Sequence, residues 1–165
     1  MEFKFNLLII ATILPINCIV NAAEVNSKTN KSNNSQIRLE LKEQNKWGKY
    51  TLKNGNDELG YITFQASSTK AEGYISMFHI SPDFRSKNFD LILMWTALNR
   101  LFKKYKVKSV ILAPQPFEHN KQLNPRPLDA LKDYYKNRFG FEEKGAFMKL
   151  TREKYLNQVN IRSNL

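Results

Sequence analysis

Apolar and polar positions first alternate along this chain and then switch to a helical period. Ile37, Leu39 and Leu41 alternate with charged residues, which predicts a half-buried strand. Tyr50-Thr51-Leu52 and residues 59–64 flank Asn54-Gly55-Asn56-Asp57, a strong turn sequence, so two further strands are predicted as a hairpin. A polar loop over residues 67–72 leads into a fourth strand over residues 74–80. The period then changes. Across residues 89–105, Leu91, Met94, Trp95, Leu98, Leu101 or Phe102, and Tyr105 fall on one helical stripe, with Asn99, Arg100, Lys103 and Lys104 opposite. Val110-Ile111-Leu112-Ala113 is a short apolar strand, stopped by Pro114 and Pro116. Strand, helix, strand in that order makes a βαβ unit, so the strands on either side of the helix are expected to be parallel.

A Pro- and Asn-rich loop over residues 114–127 follows, and a second helix is predicted to start near Pro127, a residue favoured in the first helical turn. Leu128, Leu131, and Tyr134 or Tyr135 mark its buried side, and Gly140 supplies its stop. Phe141 and residues 146–150 give one or two final strands, and the polar residues from Arg152 onward are expected to fray. The fold class predicted is a mixed α/β (α+β) sheet, with antiparallel N-terminal strands, then a parallel βαβ pair, and two main helices.

Composition changes the picture at the N-terminus. Residues 1–22 combine Lys4, an apolar run over residues 7–20, and Val20-Asn21-Ala22 at cleavage-site spacing, the pattern of a secretory signal peptide. The run is short and interrupted by Thr12, Pro15 and Asn17, which disfavours a retained membrane anchor, and no stable membrane span is expected after cleavage. Residues 23–36 are polar with almost nothing to bury and read as a disordered linker. One folded domain is then expected over residues 37–151, with a polar tail over 152–165, in an exported protein. Cys18, the single cysteine, lies in the signal segment, so disulfides, thiolate nucleophiles and Cys-based zinc sites are excluded from the mature chain, and no metal site is expected. The net charge of +11, from 26 Lys and Arg against 15 Asp and Glu, favours an anionic partner. For nucleic acid that argument rests on charge alone, since no stacking-aromatic or groove-helix motif supports it.

Candidate chemistry concentrates where the fourth strand passes through Ser-Pro-Asp-Phe-Arg-Ser-Lys-Asn into the first helix. A helix start offers unpaired backbone N–H groups and partial positive charge, which suits a phosphate. With this turn and the stretch Leu128-Asp-Ala-Leu-Lys-Asp-Tyr-Tyr-Lys-Asn-Arg-Phe-Gly-Phe, the element order resembles the GCN5-related N-acetyltransferases over roughly residues 37–151. The resemblance implies an acyl-CoA N-acyltransferase-like fold with acetyl-CoA as cosubstrate and an amine acceptor, small molecule or protein. It implies that Arg85, Ser86, Lys87, Asn88, Phe89 and Asp90 surround the cofactor pyrophosphate. It places Phe78, His79 and Ile80 beside the thioester, His79 as a candidate base, and Tyr135, or its neighbour Tyr134, as the acid for the leaving thiolate.

This chain departs from the family pattern at three points. Asn88 and Asp90 stand where the phosphate turn carries small residues, usually glycine. Asn tolerates a left-handed backbone, whereas Asp90 is expected to add bulk and negative charge beside the phosphates, although an acid in the first turn suits the helix itself and that structural reading is the favoured one. Tyr135 lies one residue further from Gly140 than the family spacing. Only residues 43–49 separate the first two strands, where the family usually has one or two helices, so an open acceptor side is expected. The alternative reading is an exported acetyltransferase-fold protein with weak or lost CoA binding that acts as a non-catalytic binding module.

Overall fold

A seven-stranded mixed sheet in the order β1-β2-β3-β4-β5-β7-β6 forms the frame of a computed structural model, which describes residues 36–115 and 127–163. The signal segment, nearly all of the linker and most of the Pro/Asn-rich loop lie outside the described residues. The strands are β1 (Ile37–Gln44), β2 (Trp47–Asn54), β3 (Asp57–Ala66), β4 (Glu72–Ile80), β5 (Ser109–Leu112), β6 (Glu142–Lys144) and β7 (Phe147–Thr151). The first four are sequential and antiparallel, β4 and β5 are parallel, and β7 runs antiparallel to both β5 and β6. The mixed α+β class and the parallel βαβ pair are therefore as the sequence predicts. No described helix is long and apolar enough to cross a membrane.

The β1–β2 connection is a two-residue hairpin. Asn45 and Lys46 both have positive φ, 49° and 66°, and Gln44 pairs directly with Trp47. Such a turn matches the twist of adjacent strands. No helix intervenes between the first two strands, as the short spacer requires.

Cross-strand register divides the sheet into two faces. Leu52, Ile62, Phe64, Ile75, Val110, Leu112, Met148 and Leu150 share one face and are buried. The opposite face carries Lys49, Tyr61, His79 and Lys149, with the Lys49 ammonium 4.0 Å from the Tyr61 ring centre. Helix α1 (Phe89–Asn99) packs on the apolar face through Leu93, Met94, Ala97 and Leu98, all fully buried. Its buried stripe is thus centred on Leu93 and Ala97, while the expected Leu91 and Trp95 sit on the flanks, half-buried.

The helix does not run unchanged to Tyr105 either. Arg100–Lys104 form a π turn, with the Tyr105 N–H donating to the Arg100 carbonyl. The wider turn lets Leu101 and Phe102 both face inward. Gly73 makes room for this: a Cβ there would lie 2.9 Å from the Leu101 side chain. The turn also aims Arg100, Lys104 and Tyr105 at one carboxylate on β1, that of Glu43.

Helix α2 (Leu128–Phe139) ends at Gly140 in the left-handed conformation, φ 75°, as the sequence predicts. The residues expected to fray are instead a third helix, α3 (Arg152–Ser163). Tyr155 is 1% exposed and stacks on Phe102 with ring centres 4.5 Å apart, and its hydroxyl donates to Asn99. Tyr155, with Val159 packed beside the core, docks a helix whose Leu156 and Ile161 stay exposed, so the pattern along the chain hides it.

Candidate active site

The sheet opens between its two parallel strands. Pairing of β4 with β5 runs from Glu72–Ser109 to Ile75–Leu112 and ends there, whereas β4 continues to Ile80 beside β3. Two local features cause the parting. Ser76 is an extra residue in β4, because Phe64 pairs with Ile75 and Thr63 with Met77, and such a bulge bends the strand. On the other side, Pro114 lacks the N–H needed to extend the ladder. Residues 76–80 thus leave the partnership with β5, and an extended ligand arm can pair with a strand edge of this kind.

Ile80 feeds directly into the basic turn. Pro82–Lys87 form a 3-10 helix, Asn88 follows in the left-handed conformation at φ 60°, ψ 18°, and α1 begins at Phe89. The Arg85 side chain donates from Nε to the Ile80 carbonyl, 3.3 Å, and Phe84 packs on Phe89. Asn88 adopts the conformation a glycine would adopt more freely.

Asp90 is 6% exposed, and its carboxylate turns onto α2. Arg138 Nε donates to Asp90 Oδ2 at 2.6 Å and Nη2 to Oδ1 at 3.2 Å. The same Nη2 donates to the side-chain oxygen of Asn88 at 2.6 Å, and the Tyr134 hydroxyl donates to Asp90 Oδ2 at 2.7 Å. Burial raises the proton affinity of the Asp90 carboxyl, but the hydrogen bonds from Arg138 and Tyr134 outweigh it and hold the carboxyl below its ordinary range. The expected negative charge beside the turn is therefore compensated by an arginine 48 residues away. Arg138 is the member of this cluster that the sequence does not single out. A cation in the last turn of a helix is ordinarily explained by the helix dipole, and nothing local names its partner.

The two tyrosines of α2 separate by environment. The Tyr134 hydroxyl donates a hydrogen bond to Asp90, and burial first, then that bond, raise its pKa strongly. Tyr135 points its ring toward Phe78 of β4, ring centres 6.5 Å apart, and also lies against Phe139 and Phe141. It thereby stands beside the part of β4 that has left β5. His79 is on the opposite face of the strand, tilted against Tyr61 at 5.6 Å. Burial lowers its pKa, the nearby Arg85 charge adds to this, and Glu58 opposes it, which favours a neutral imidazole at pH 7. The fold thus places Phe78, Ile80, Arg85, Lys87, Asn88, Phe89 and the backbone of Ser86 along one run from strand to helix, with Tyr135 at its side and His79 across the sheet.

Solved structures share this fold. A spermidine N-acetyltransferase from Vibrio cholerae superposes with a TM-score of 0.53 at 16% identity, covering 69% of this chain and 70% of the other. A protein from Desulfovibrio desulfuricans assigned to the GNAT family of acetyltransferases gives a TM-score of 0.50 at 9% identity, over 64% of this chain and 69% of that one. The fold is the GNAT-like acyltransferase fold. Nourseothricin acetyltransferase shares it at a TM-score of 0.51 and 12% identity, over 64% and 65% of the two chains. No family model and no curated protein sequence matches the chain.

Proposed function

We propose that this protein is an acetyl-CoA-dependent N-acetyltransferase acting on an amine. One observation carries the reading: β4 parts from β5 directly ahead of a left-handed basic turn that opens a helix, with a tyrosine beside the gap. Acetyl-CoA fits the donor set. The N–H groups at the start of α1 and the cations of Arg85 and Lys87 suit its phosphates, and residues 78–80 offer a strand edge to its extended arm. When bound, acetyl-CoA supplies an acetyl group activated as a thioester. His79 then accepts a proton from the incoming ammonium at an imidazole nitrogen, and Tyr135 gives its hydroxyl proton to the leaving group. The backbone of residues 78–80 would hold the acetyl donor in position. Tyr134 takes no part in proton transfer, because Asp90 holds its hydroxyl.

Two observations weigh against the reading of a dead cofactor site. Arg138 and Tyr134 offset the charge of Asp90, and Asn88 already holds the left-handed conformation. Export through residues 1–22 belongs to the same proposal, and the mass of the mature chain tests it. The acceptor is an amine, small molecule or protein, and spermidine, named for the Vibrio cholerae enzyme, is the first to assay. Acetyl-CoA with a panel of amines should release free thiol in step with N-acetylated product. Thiol release unaffected by every amine in the panel would contradict the proposed transfer.

A further inference from the structure

We infer that Asp90 and Arg138 are positioning residues that lock the phosphate turn in its left-handed conformation by tying Asn88 to α2, where a glycine turn would need no such tie. The inference rests on the acetyl-CoA reading of the turn.

The geometry is a closed loop of interactions. Asn88 and Asp90 lie on either side of the first residue of α1, and Arg138 spans them with one guanidinium: Nε and Nη2 on the Asp90 carboxylate, Nη2 also on Asn88 Oδ1. Tyr134, one helical turn before Arg138 on α2, closes the other side of Asp90. A planar guanidinium with two parallel bonds fixes direction as well as distance, which an ammonium would not do. The Asp90 side chain is 8% exposed and the Arg138 side chain 35%, so water screens the pair only in part.

A non-glycine residue in the left-handed region carries conformational strain and persists where its surroundings over-determine it. At Asn88 those surroundings are this clamp. The N–H groups that open α1 are then aimed before a ligand arrives, so the ligand does not have to order the turn on binding. The same clamp couples the turn to α2, the helix that carries Tyr135.

The test uses the full chain. Asp90→Asn keeps the shape of the side chain and removes its charge. It should weaken CoA binding, read by calorimetry, about tenfold, the scale of one strained backbone site. It should also speed amide hydrogen exchange at residues 88–91 in the ligand-free protein. Adding Asn88→Gly to Asp90→Asn should restore binding to within about twofold while leaving the lowered melting temperature unrepaired, because glycine adopts the left-handed turn unaided. Arg138→Lys, which keeps the charge and loses the fork, should weaken binding by an intermediate amount. Unchanged CoA affinity in Asp90→Asn, or a loss that Asn88→Gly cannot rescue, overturns the inference. If the unaltered protein binds no CoA, the acetyl-CoA reading fails. The exchange measurement then decides the clamp alone: faster exchange at residues 88–91 upholds the lock, and unchanged exchange overturns it.

Discussion

Replacing Glu43 with Gln should remove an acid-sensitive tie between the edge of the sheet and the end of α1. The Glu43 carboxylate accepts hydrogen bonds from Arg100 Nε at 3.0 Å, Lys104 Nζ at 2.6 Å and the Tyr105 hydroxyl at 2.6 Å, while Arg100 Nη2 makes a further bond. The Arg100 hydrogen bond is the largest cause that brings its pKa down from 4.5 to about 2, against the effect of burial. A depressed carboxylate pKa means that the folded state binds the proton less tightly than the unfolded chain. The stability it contributes is complete above pH 4.5 and is lost as pH falls through 2. A shift of that size has a ceiling of about 3 kcal/mol. The cluster lies at the surface, with Lys104 half exposed, and solvent screening reduces this to about 1–2 kcal/mol. Urea unfolding of the unaltered chain and of Glu43→Gln at pH 7, 5, 4 and 3 reads the difference directly. The gap between the two proteins should be about 1–2 kcal/mol at neutral pH and should narrow steadily below pH 4.5. A gap that stays constant from pH 7 to pH 3 would show that the contribution does not come from the ionised carboxylate. On the alkaline side, burial and the bond to Glu43 push the Tyr105 hydroxyl up to about 12. A raised tyrosine pKa contributes stability that is complete below its unfolded value near 10 and is lost as pH rises through 12, so Tyr105→Phe should lessen the alkaline sensitivity of the fold.

Other predictions follow from the site. Tyr135→Phe should lower kcat by about 100-fold with CoA affinity unchanged, the range for a lost proton donor, and an unchanged kcat would remove Tyr135 from the mechanism. Tyr134→Phe should instead leave kcat within about twofold and cost about 1–3 kcal/mol of stability, as expected for a lost bond to a buried carboxylate; a large kcat defect at unchanged stability would reverse the two roles. Because His79 has its pKa lowered below 6.5, the acid limb of kcat/KM should lie below that pH, and His79→Gln should abolish the limb; persistence of the limb in His79→Gln would assign it to another group. Tyr155→Ala should cost about 3–5 kcal/mol, because it empties the stacking site against Phe102, and a loss under 1 kcal/mol would mean that α3 contributes little to the fold.

Much of the fold is legible in the chain because its signals are local. The alternation at Leu39 and Leu41, the turn at Asn54-Gly55, the apolar Val110–Leu112 stretch and the stop at Gly140 each act within a few residues. What escapes a linear reading depends on contacts across long separations. The π turn at Arg100 and the burial of Tyr155 are set by packing between elements, not by the sequence around either residue. At the site, the position of the turn and the candidacy of Tyr135 are visible in the sequence. The meaning of Asp90 is not. Its side chain reads as a charge facing a phosphate until Arg138 and Tyr134 are brought onto it from α2. Spacing favours Tyr135 over Tyr134 without deciding between them, and the two separate when one is seen bonded to Asp90 and the other packed on Phe78.

Binding of acetyl-CoA to the full chain tests the central claim most directly. Differential scanning fluorimetry with 0 to about 1 mM acetyl-CoA should show a melting temperature that climbs with ligand concentration. At about 100 times Kd, the native state gains about 2.7 kcal/mol, a rise of several degrees for a chain of this size. A melting temperature unmoved at millimolar acetyl-CoA would contradict the account.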